Sequence, residues 1–191
     1  MTYRLHLYSK RLLRLFYGFD EWHISPFYER TYAVQIVEYL NNLVDIRNYK
    51  IAEIGCGLGD IIRRVKATSK LGFDYDYKVC KAANFVSKIL NDKTKYAQFK
   101  FPDDSLSSTY DAIIMVNWIH HIEPVLLKEQ LAVLFHEHLS LNGKILVDTV
   151  QDEQYQFNHD INFLTASLNC ELEVIATDKR QRKVFAIKRI N

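Results

Sequence analysis

Hydrophobic and polar residues recur with two different periods along the chain, and the change falls near Lys50. Before it, apolar residues are spaced by three and four positions over about residues 3–17 and 28–46, as on one face of an α-helix. After it, short apolar runs of strand length alternate with helical patterns. The periodicity predicts two N-terminal helices, separated by the polar break GFDEWHISP, and then an α/β core.

Five predicted strands follow one another from Lys50 onward, most of them separated by helices. The strands are KIAEI, KLGFD, YAQFKF, YDAIIMVN and a fifth in LNGKILVDTV, which begins with a turn. The helices are DIIRRVKA, YKVCKAANFVSKILN, a segment from Pro124 to about His138, and HDINFLTASLN. The last stretch, ELEVIATDKRQRKVFAIKRI, is typical of two strands around a polar turn. Because parallel neighbours need crossover connections, the pattern predicts a Rossmann-like doubly wound, mainly parallel seven-stranded sheet that ends in an antiparallel hairpin.

The composition limits the class of protein, the partners and the cellular compartment that the chain suits. The chain has 191 residues, 48% hydrophobic, enough for one globular domain with a core. A net charge of +2 does not indicate a nucleic-acid partner. Its three cysteines form no CxxC pair, which argues against a disulfide framework or a zinc site and favours the reducing cytoplasm. The longest apolar run is too short for a membrane span, and the oligomeric state stays open.

The N-terminal segment is basic and amphipathic. Arg4, Lys10, Arg11 and Arg14 are interleaved with apolar residues at near-helical spacing, unlike the single apolar block of a signal peptide. We expect this helix to pack its apolar stripe on its own domain. Association with an anionic membrane surface is the alternative.

The segment EIGCGLGD follows the first predicted strand. Its glycines, Gly55, Gly57 and Gly59, are spaced GxGxG, whereas a dinucleotide fingerprint needs GxGxxG. The last glycine of that fingerprint would be residue 60, which is Asp60 here, and a carboxylate opposes a pyrophosphate at a helix N-terminus. No Gly-Lys-Ser/Thr follows, so a Walker loop is excluded too. The loop suits a ligand with an adenosine half and no phosphates.

EIGCGLGD resembles the first motif of the class I S-adenosylmethionine-dependent methyltransferases, in which an acidic residue precedes GxGxG. LGFDYD is similar to the end of that family's second strand, YDAIIMVNWIHHIEP to its fourth strand and loop, and LSLNGKILVDTV to its fifth strand. The resemblance covers about residues 50–190. It implies a single domain over residues 1–191, with the helices of 1–48 acting as a lid on a core of 49–191.

The resemblance also implies S-adenosyl-L-methionine as the cofactor. Asp74 would accept hydrogen bonds from the ribose hydroxyls, and Tyr75, Phe101 or Asp103 would contact adenine. Core packing is the other interpretation of Tyr75, and Cys56 suits a small filler better than a nucleophile. The implied cofactor-binding set is Glu53, Gly55, Cys56, Gly57, Gly59, Asp74, Tyr75, Phe101 and Asn117.

His120 and His121 are the candidate catalytic residues, in the loop after the fourth strand. A general base is needed only if the acceptor keeps its proton, as a hydroxyl does. Similarity to family members with an HH pair favours His121. The alternative is that the pair caps the helix beginning near Pro124 and shapes the pocket without transferring a proton.

Candidate substrate contacts lie in two places. The first is the N-terminal break, where Trp22, Tyr28 and Tyr32 stand near His23 and Arg30, with plain aromatic packing as the alternative. The second is His159, where a helix N-cap at Asn158 or Asp160 is the alternative. No metal site is expected from the spacing of His120, His159, Asp148 and Asp152, and His136 and His138 are expected to face solvent.

The sequence favours a methyltransferase acting on oxygen or nitrogen of a small molecule, such as a sugar or natural-product intermediate. It lacks the Asn-Pro-Pro-Tyr type of segment common in enzymes that methylate base or amide nitrogens. One alternative is a non-catalytic, methyltransferase-like binding or regulatory protein. Another is an RNA methyltransferase, suggested by the basic turn DKRQRK, whose charges we expect to be solvated.

Overall fold

The computed structural model describes residues 3–179 and 181–190. One seven-stranded sheet has the order β3-β2-β1-β4-β5-β7-β6. Its strands are β1 (Lys50–Ile54), β2 (Ser69–Asp74), β3 (Lys95–Gln98), β4 (Tyr110–Met115), β5 (Leu139–Thr149), β6 (Cys170–Asp178) and β7 (Arg182–Arg189). The first five strands pair in parallel, and β7 runs antiparallel between β5 and β6. The predicted fold class, with its terminal hairpin, is confirmed.

The helices are α1 (Tyr3–Tyr17), α2 (Thr31–Asn41), α3 (Tyr77–Ile89), α4 (Pro124–Val133) and α5 (Ile161–Thr165). The predicted helix over 28–46 is shorter, because Phe27–Glu29 forms a separate 3-10 turn. The predicted helix DIIRRVKA is wrong, since only Ile62–Arg64 forms a 3-10 turn. The Asn41 side chain donates to the Arg64 carbonyl at 3.1 Å and accepts from the Lys66 N–H at 2.8 Å. It thus takes backbone groups that a continuing helix would use.

Both faces of the sheet are covered by apolar clusters. Ile36 and Leu40 of α2 pack with Ile51 on one face, and Leu127 of α4 packs with Ile113 on the other. Sheets of this kind bury both faces under crossover helices, which leaves the carboxyl ends of the strands as the open edge. No helix in the described ranges 3–179 and 181–190 is long and apolar enough to cross a membrane.

α1 packs on α3 through a smaller cluster. Leu13 and Tyr17 lie against Val79 and Ala82, so part of the apolar stripe packs on the domain as predicted, while Leu12, Leu15 and Phe16 remain exposed. The side chains of residues 1–9, Arg4 among them, lie outside the described part of the chain.

His138 is not solvent-facing, and that prediction is wrong. α4 continues into a π-helical turn, Leu134–His138, and such a turn advances fewer degrees per residue than an α-helix. His138 is therefore buried, with Nδ1 3.2 Å from the Ser108 carbonyl and Nε2 3.3 Å from Ser105 Oγ. His136 is exposed, as predicted.

Candidate active site

The glycine loop lies where the sheet order reverses, between β1 and β4, the place at which doubly wound sheets bind ligands. Gly55, Gly57 and Gly59 have φ values of +75°, +54° and +74°, a region that only glycine enters freely. A Cβ on Gly55 would stand 2.2 Å from Trp118 Nε1, and one on Gly59 would stand 2.0 Å from Tyr96 Oη. Both the conformation and the close packing of the loop therefore require glycine.

Asp74, the last residue of β2, is bonded directly to the glycine loop. Its Oδ2 accepts the Gly57 N–H at 2.8 Å, and its Oδ1 accepts the Asp76 N–H at 3.0 Å. Burial raises the pKa of this carboxyl, while the two N–H donors act in the opposite direction. The acidic end of β2 and the loop after β1 form one hydrogen-bonded unit.

Glu53 lies at the end of β1 and is buried. Its Oε2 accepts the Ile62 N–H at 2.9 Å. Burial raises the pKa of Glu53 to about 8, because a charged carboxylate is poorly solvated there. The side chain accordingly carries its proton at neutral pH.

Glu53→Gln should flatten the pH dependence of stability. With a pKa of about 8 when folded and 4.5 as its ordinary value, wild-type Glu53 holds more proton in the folded state between these pH values. The wild-type free energy of unfolding should therefore fall as pH rises through this window, and the glutamine variant should lose that slope. Urea unfolding across the window measures it, with exposed Glu129→Gln as the control. A variant slope equal to that of wild type would refute the assignment.

A cavity of about 470 Å³ opens beside the glycine loop, within the size range of small-molecule sites. Five parts of the chain form its walls: the N-terminal segment, the glycine loop, the segment after β4, the segment after β5, and the β6–β7 hairpin. The lining side chains include Trp22, His23, Arg30, Tyr32, Trp118, Tyr155, Asp178 and Arg182. Aromatic and charged groups are thus mixed along the walls.

The structure brings some of the predicted site residues to this cavity and leaves others outside it. Those that line it are Glu53, Gly55, Cys56, Gly57, Asn117, Trp22 and Tyr32. Those that do not are Gly59, Asp74, Tyr75, Phe101, Tyr28, His120, His121 and His159. The cavity therefore covers the side predicted for the methionine end. The predicted adenosine contacts lie beyond it, and so do both candidate catalytic histidines and two of the four candidate substrate contacts.

The N-terminal segment covers the loop through His23. The His23 ring lies against Trp22, with centroids 3.5 Å apart and the ring planes tilted by 31°, and its Nδ1 would lie 3.0 Å from a Cβ on Gly57. Burial lowers the pKa of His23 to about 4, so the ring is neutral at pH 7. Its Nδ1 is buried without a hydrogen-bond partner, an unused polar atom at the wall of the cavity.

Asp60 joins the N-terminal segment to the glycine loop. Lys10 Nζ lies 2.6 Å and Arg30 Nη2 2.5 Å from its Oδ2, while Arg63 and Arg64 approach Oδ1 at 3.4 and 3.5 Å. These cations hold the pKa of the Asp60 carboxyl well below its usual range. The residue that departs from the dinucleotide fingerprint is thus the buried centre of an ionic cluster.

Asn117 begins the segment after β4 with a φ of +71°. Its N–H donates to Asp148 Oδ1 at 2.8 Å, and Asp148 also pairs with the buried Arg182. The Arg182 guanidinium lies 4.7 Å from the centre of the Tyr32 ring, and its Nη2 lies 3.3 Å from Tyr155 Oη. Arg182 therefore links the hairpin to three other walls of the cavity.

Arg182 was not among the site residues predicted from the sequence. We expected the charges of DKRQRK to be solvated, which is wrong for Arg182, only 5% exposed; Arg180 of the same turn lies outside the described residues. The feature that could have indicated a buried arginine is Asp148, a buried carboxylate at the end of β5 that needs a cation. Finding its partner requires the β5–β7 register, in which Asp148 is opposite Val184.

The two candidate catalytic histidines differ in exposure. His121 is exposed, whereas His120 is buried, with its ring centre 3.9 Å from that of Tyr155 and 4.6 Å from that of His121. Burial lowers the pKa of His120 to about 3. The pair does not cap α4, because the Glu123 side chain accepts the Leu126 N–H at 2.9 Å.

His159 is buried beneath the same region. Its Nε2 lies 2.9 Å from the Ile119 carbonyl, and burial lowers its pKa. The capping alternative is confirmed for Asp160, whose side chain accepts the Asn162 N–H at 2.9 Å.

The cysteines are free thiols. Cys56 and Cys80 are buried, and Cys170 is half-buried. Burial raises the pKa of Cys56 well above its ordinary value, which suits a small filler between two glycines and not a nucleophile. Within residues 3–179 and 181–190, no three His, Cys, Asp or Glu side chains are placed to hold a metal ion.

Comparison with known proteins gives matches of structure only. No protein-family model matches the chain, and no curated protein matches it. Magnesium protoporphyrin IX methyltransferase (ChlM) from Synechocystis PCC 6803, solved with bound SAM, aligns with 83% of this chain and 78% of its own, at 13% identity and a TM-score of 0.68.

Two further solved structures have the same architecture. A TehB-like SAM-dependent methyltransferase from Corynebacterium glutamicum aligns over 96% of both chains, at 16% identity and a TM-score of 0.65. A putative O-methyltransferase from Nostoc punctiforme aligns with 85% of this chain and 58% of its own, at 15% identity and a TM-score of 0.64. At these identities the likeness establishes the fold.

Proposed function

We propose that this chain, whose fold is that of the class I S-adenosylmethionine-dependent methyltransferases, moves a methyl group from S-adenosyl-L-methionine to oxygen or nitrogen of a small molecule, such as a sugar or natural-product intermediate. The observation that carries the proposal is the unit formed by the three left-handed glycines and Asp74 at the switch point of the sheet. We further propose one domain over residues 1–191, with 1–48 as a lid on 49–191. Three free cysteines support a cytoplasmic setting.

The residues present suit this cofactor. The Gly55–Gly57 backbone and Glu53 would hold its amino-acid end, Asp74 its ribose hydroxyls, and Tyr75 and Phe101 its adenine. The sulfonium of the cofactor is a cation, and cations are attracted to the faces of aromatic rings. The cavity offers four such rings, those of Trp118, Trp22, Tyr32 and Tyr155. No phosphate group has to be accommodated beside Asp60.

S-adenosylmethionine supplies an electrophilic methyl group when bound. The chain contributes by holding the acceptor in line with that group and by excluding water, and such positioning alone accounts for large accelerations. The rings of Trp22 and His23 cover the Gly57 side of the cavity. Trp118 is held on the Gly55 side, because its Nε1 donates to the Ile54 carbonyl at 2.7 Å.

For a hydroxyl acceptor, we propose that His121 removes the proton. Exposed His121 can release that proton to solvent, while buried His120 contacts its ring and fixes its position. The low pKa of His120 keeps this neighbour uncharged, so it does not add a second positive charge beside a protonated His121.

His121→Ala should lower turnover about a hundredfold or more, since general bases contribute on that order, and should leave cofactor affinity nearly unchanged. Steady-state release of S-adenosylhomocysteine and calorimetric titration measure the two quantities. His136→Ala removes another exposed histidine and should leave both unaltered. Wild-type turnover in His121→Ala would restrict the histidine to architecture.

The proposed function is tested by calorimetry with S-adenosylmethionine, followed by a screen of candidate acceptors that detects S-adenosylhomocysteine release. We expect binding, together with turnover of at least one hydroxyl or amine compound. Absence of binding at millimolar cofactor would refute the proposal. Binding without turnover of any acceptor would favour the non-catalytic alternative.

A further inference from the structure

We propose that the outer face of α1 and α3 docks on an anionic membrane surface. This α1–α3 face is defined by Leu12, Leu15, Phe16, Phe85, Ile89 and Leu90. Docking of this face on a membrane is a property beyond the proposed methyl transfer and independent of it. Two separate observations support the proposal: the exposed apolar side chains of the face and its positive charge.

The apolar side chains of this face protrude into solvent. Leu15 is 83%, Phe16 78% and Ile89 65% exposed, and the other three exceed 40%. Between the helices, all of them except Leu15 border a groove of about 840 Å³. Soluble domains rarely leave large apolar side chains grouped in this way unless the patch binds something.

The two helices are also uniformly basic. Their sequences contain seven Lys and Arg residues and no Asp or Glu, although the whole chain carries a net charge of only +2. Of these, Arg11, Lys81 and Lys88 are exposed, whereas Lys10 is buried against Asp60. Arg63 and Arg64 also line the groove, but their charge is directed at Asp60, so the exposed helix residues carry the charge of the face. The flanking acidic groups with described partners are engaged locally: Glu21 with Arg14, Asp92 with Lys70, and Asp76 as the cap of α3.

An apolar face within a basic border suits a surface that offers both hydrocarbon and negative charge. Amphipathic helices of this composition lie in the interface of anionic bilayers, with the apolar side chains at the boundary between headgroups and acyl chains, and each basic residue near the surface adds attraction. Pairing with a second copy would instead bring two basic faces together, and such like-charge contact opposes association.

The α1–α3 face adjoins the candidate active site. Leu58, between Gly57 and Gly59, lines both the groove and the cavity beside the glycine loop. A protein docked on this face would hold its glycine loop close to the bilayer, without any part of the chain crossing it.

Co-sedimentation with lipid vesicles tests the proposal. The wild-type chain should bind vesicles of equal parts phosphatidylglycerol and phosphatidylcholine, bind pure phosphatidylcholine far less, and be released as salt screens the charges. Phe16→Ser/Ile89→Ser should lower partitioning about tenfold or more, because two large side chains lose apolar contact. Arg11→Glu/Lys88→Glu should weaken binding to the anionic vesicles only.

The matched control is Val44→Ser/Leu141→Ser, which removes two exposed apolar side chains elsewhere, 81% and 68% exposed, and should bind as wild type does. Circular dichroism and S-adenosylmethionine titration check that each variant is folded. Equal binding of wild type to both vesicle types, or unchanged binding of Phe16→Ser/Ile89→Ser, would overturn the proposal. So would a dimer in sedimentation velocity that this double variant abolishes, which would assign the face to a second copy.

Discussion

Gly55→Ala should weaken the binding of S-adenosylmethionine by about tenfold to a hundredfold, a loss of roughly 1 to 3 kcal/mol. At a φ of +75°, a side chain costs about 1 to 2 kcal/mol of backbone strain. The new Cβ would also stand 2.2 Å from Trp118 Nε1 and 2.3 Å from its Cδ1. Either the loop or the indole ring must shift, and both are proposed to contact the cofactor. Calorimetric titration measures the loss.

Gly18→Ala is the matched control. Gly18 has a φ of +68°, and the nearest atom to its Cβ would be Lys78 Nζ at 4.0 Å. This variant therefore carries the same kind of strain without a collision. It should lower the free energy of unfolding by about 1 kcal/mol and leave the cofactor affinity unchanged. If the two variants bound equally well, the glycine loop would not be the cofactor site.

Asp60→Ala should lower the free energy of unfolding by about 3 to 5 kcal/mol, the cost of leaving buried charges without their partner. Lys10 and Arg63 are nearly as buried as Asp60 itself, with side chains 4%, 8% and 7% exposed. Without the carboxylate these two cations lose their common partner, and the repulsion between their positive charges is no longer offset. Urea unfolding at neutral pH measures the change.

An exposed pair provides the comparison for Asp60. Glu21→Ala breaks the Arg14–Glu21 pair, whose side chains are 40% and 72% exposed, and should cost less than about 1 kcal/mol. Because the folded pKa of Asp60 lies below its ordinary value of 3.8, its contribution is complete above that pH and is lost as pH falls further. The difference between wild type and Asp60→Ala should therefore shrink only in strong acid. Similar losses for the two variants would contradict the buried cluster.

Much of the fold follows from local pattern. Strands β1 and β4 are apolar runs in the sequence because both of their faces are buried. Pro124 marks the start of α4 because proline suits the first position of a helix. Helix ends were harder to predict, since distant groups decide them. The turn after the glycine loop ends where the side chain of Asn41, which belongs to α2, bonds its backbone. No local sequence pattern contains that contact.

The site was predictable where backbone chemistry determines it. Glycines at left-handed positions and Asp74 at the end of β2 leave a readable spacing. The burial of Arg182 and Asp60 could not be predicted from spacing. A charged residue in a polar stretch normally faces solvent, and whether it is buried depends on a partner far away in sequence. Asp148 lies 34 residues from Arg182, and Lys10 lies 50 residues from Asp60.

The Asp60 cluster also bears on which adenosine compounds can compete for the site. Lys10, Arg30, Arg63 and Arg64 are the kind of groups that recognise phosphate, yet their charge is already directed at a carboxylate of the same chain. ATP or NAD would have to displace Asp60 from these cations and leave that buried carboxylate unpaired. The protein thus contains its own anion where a nucleotide would place one, and an abundance of phosphorylated adenosines in the surrounding solution should not inhibit it.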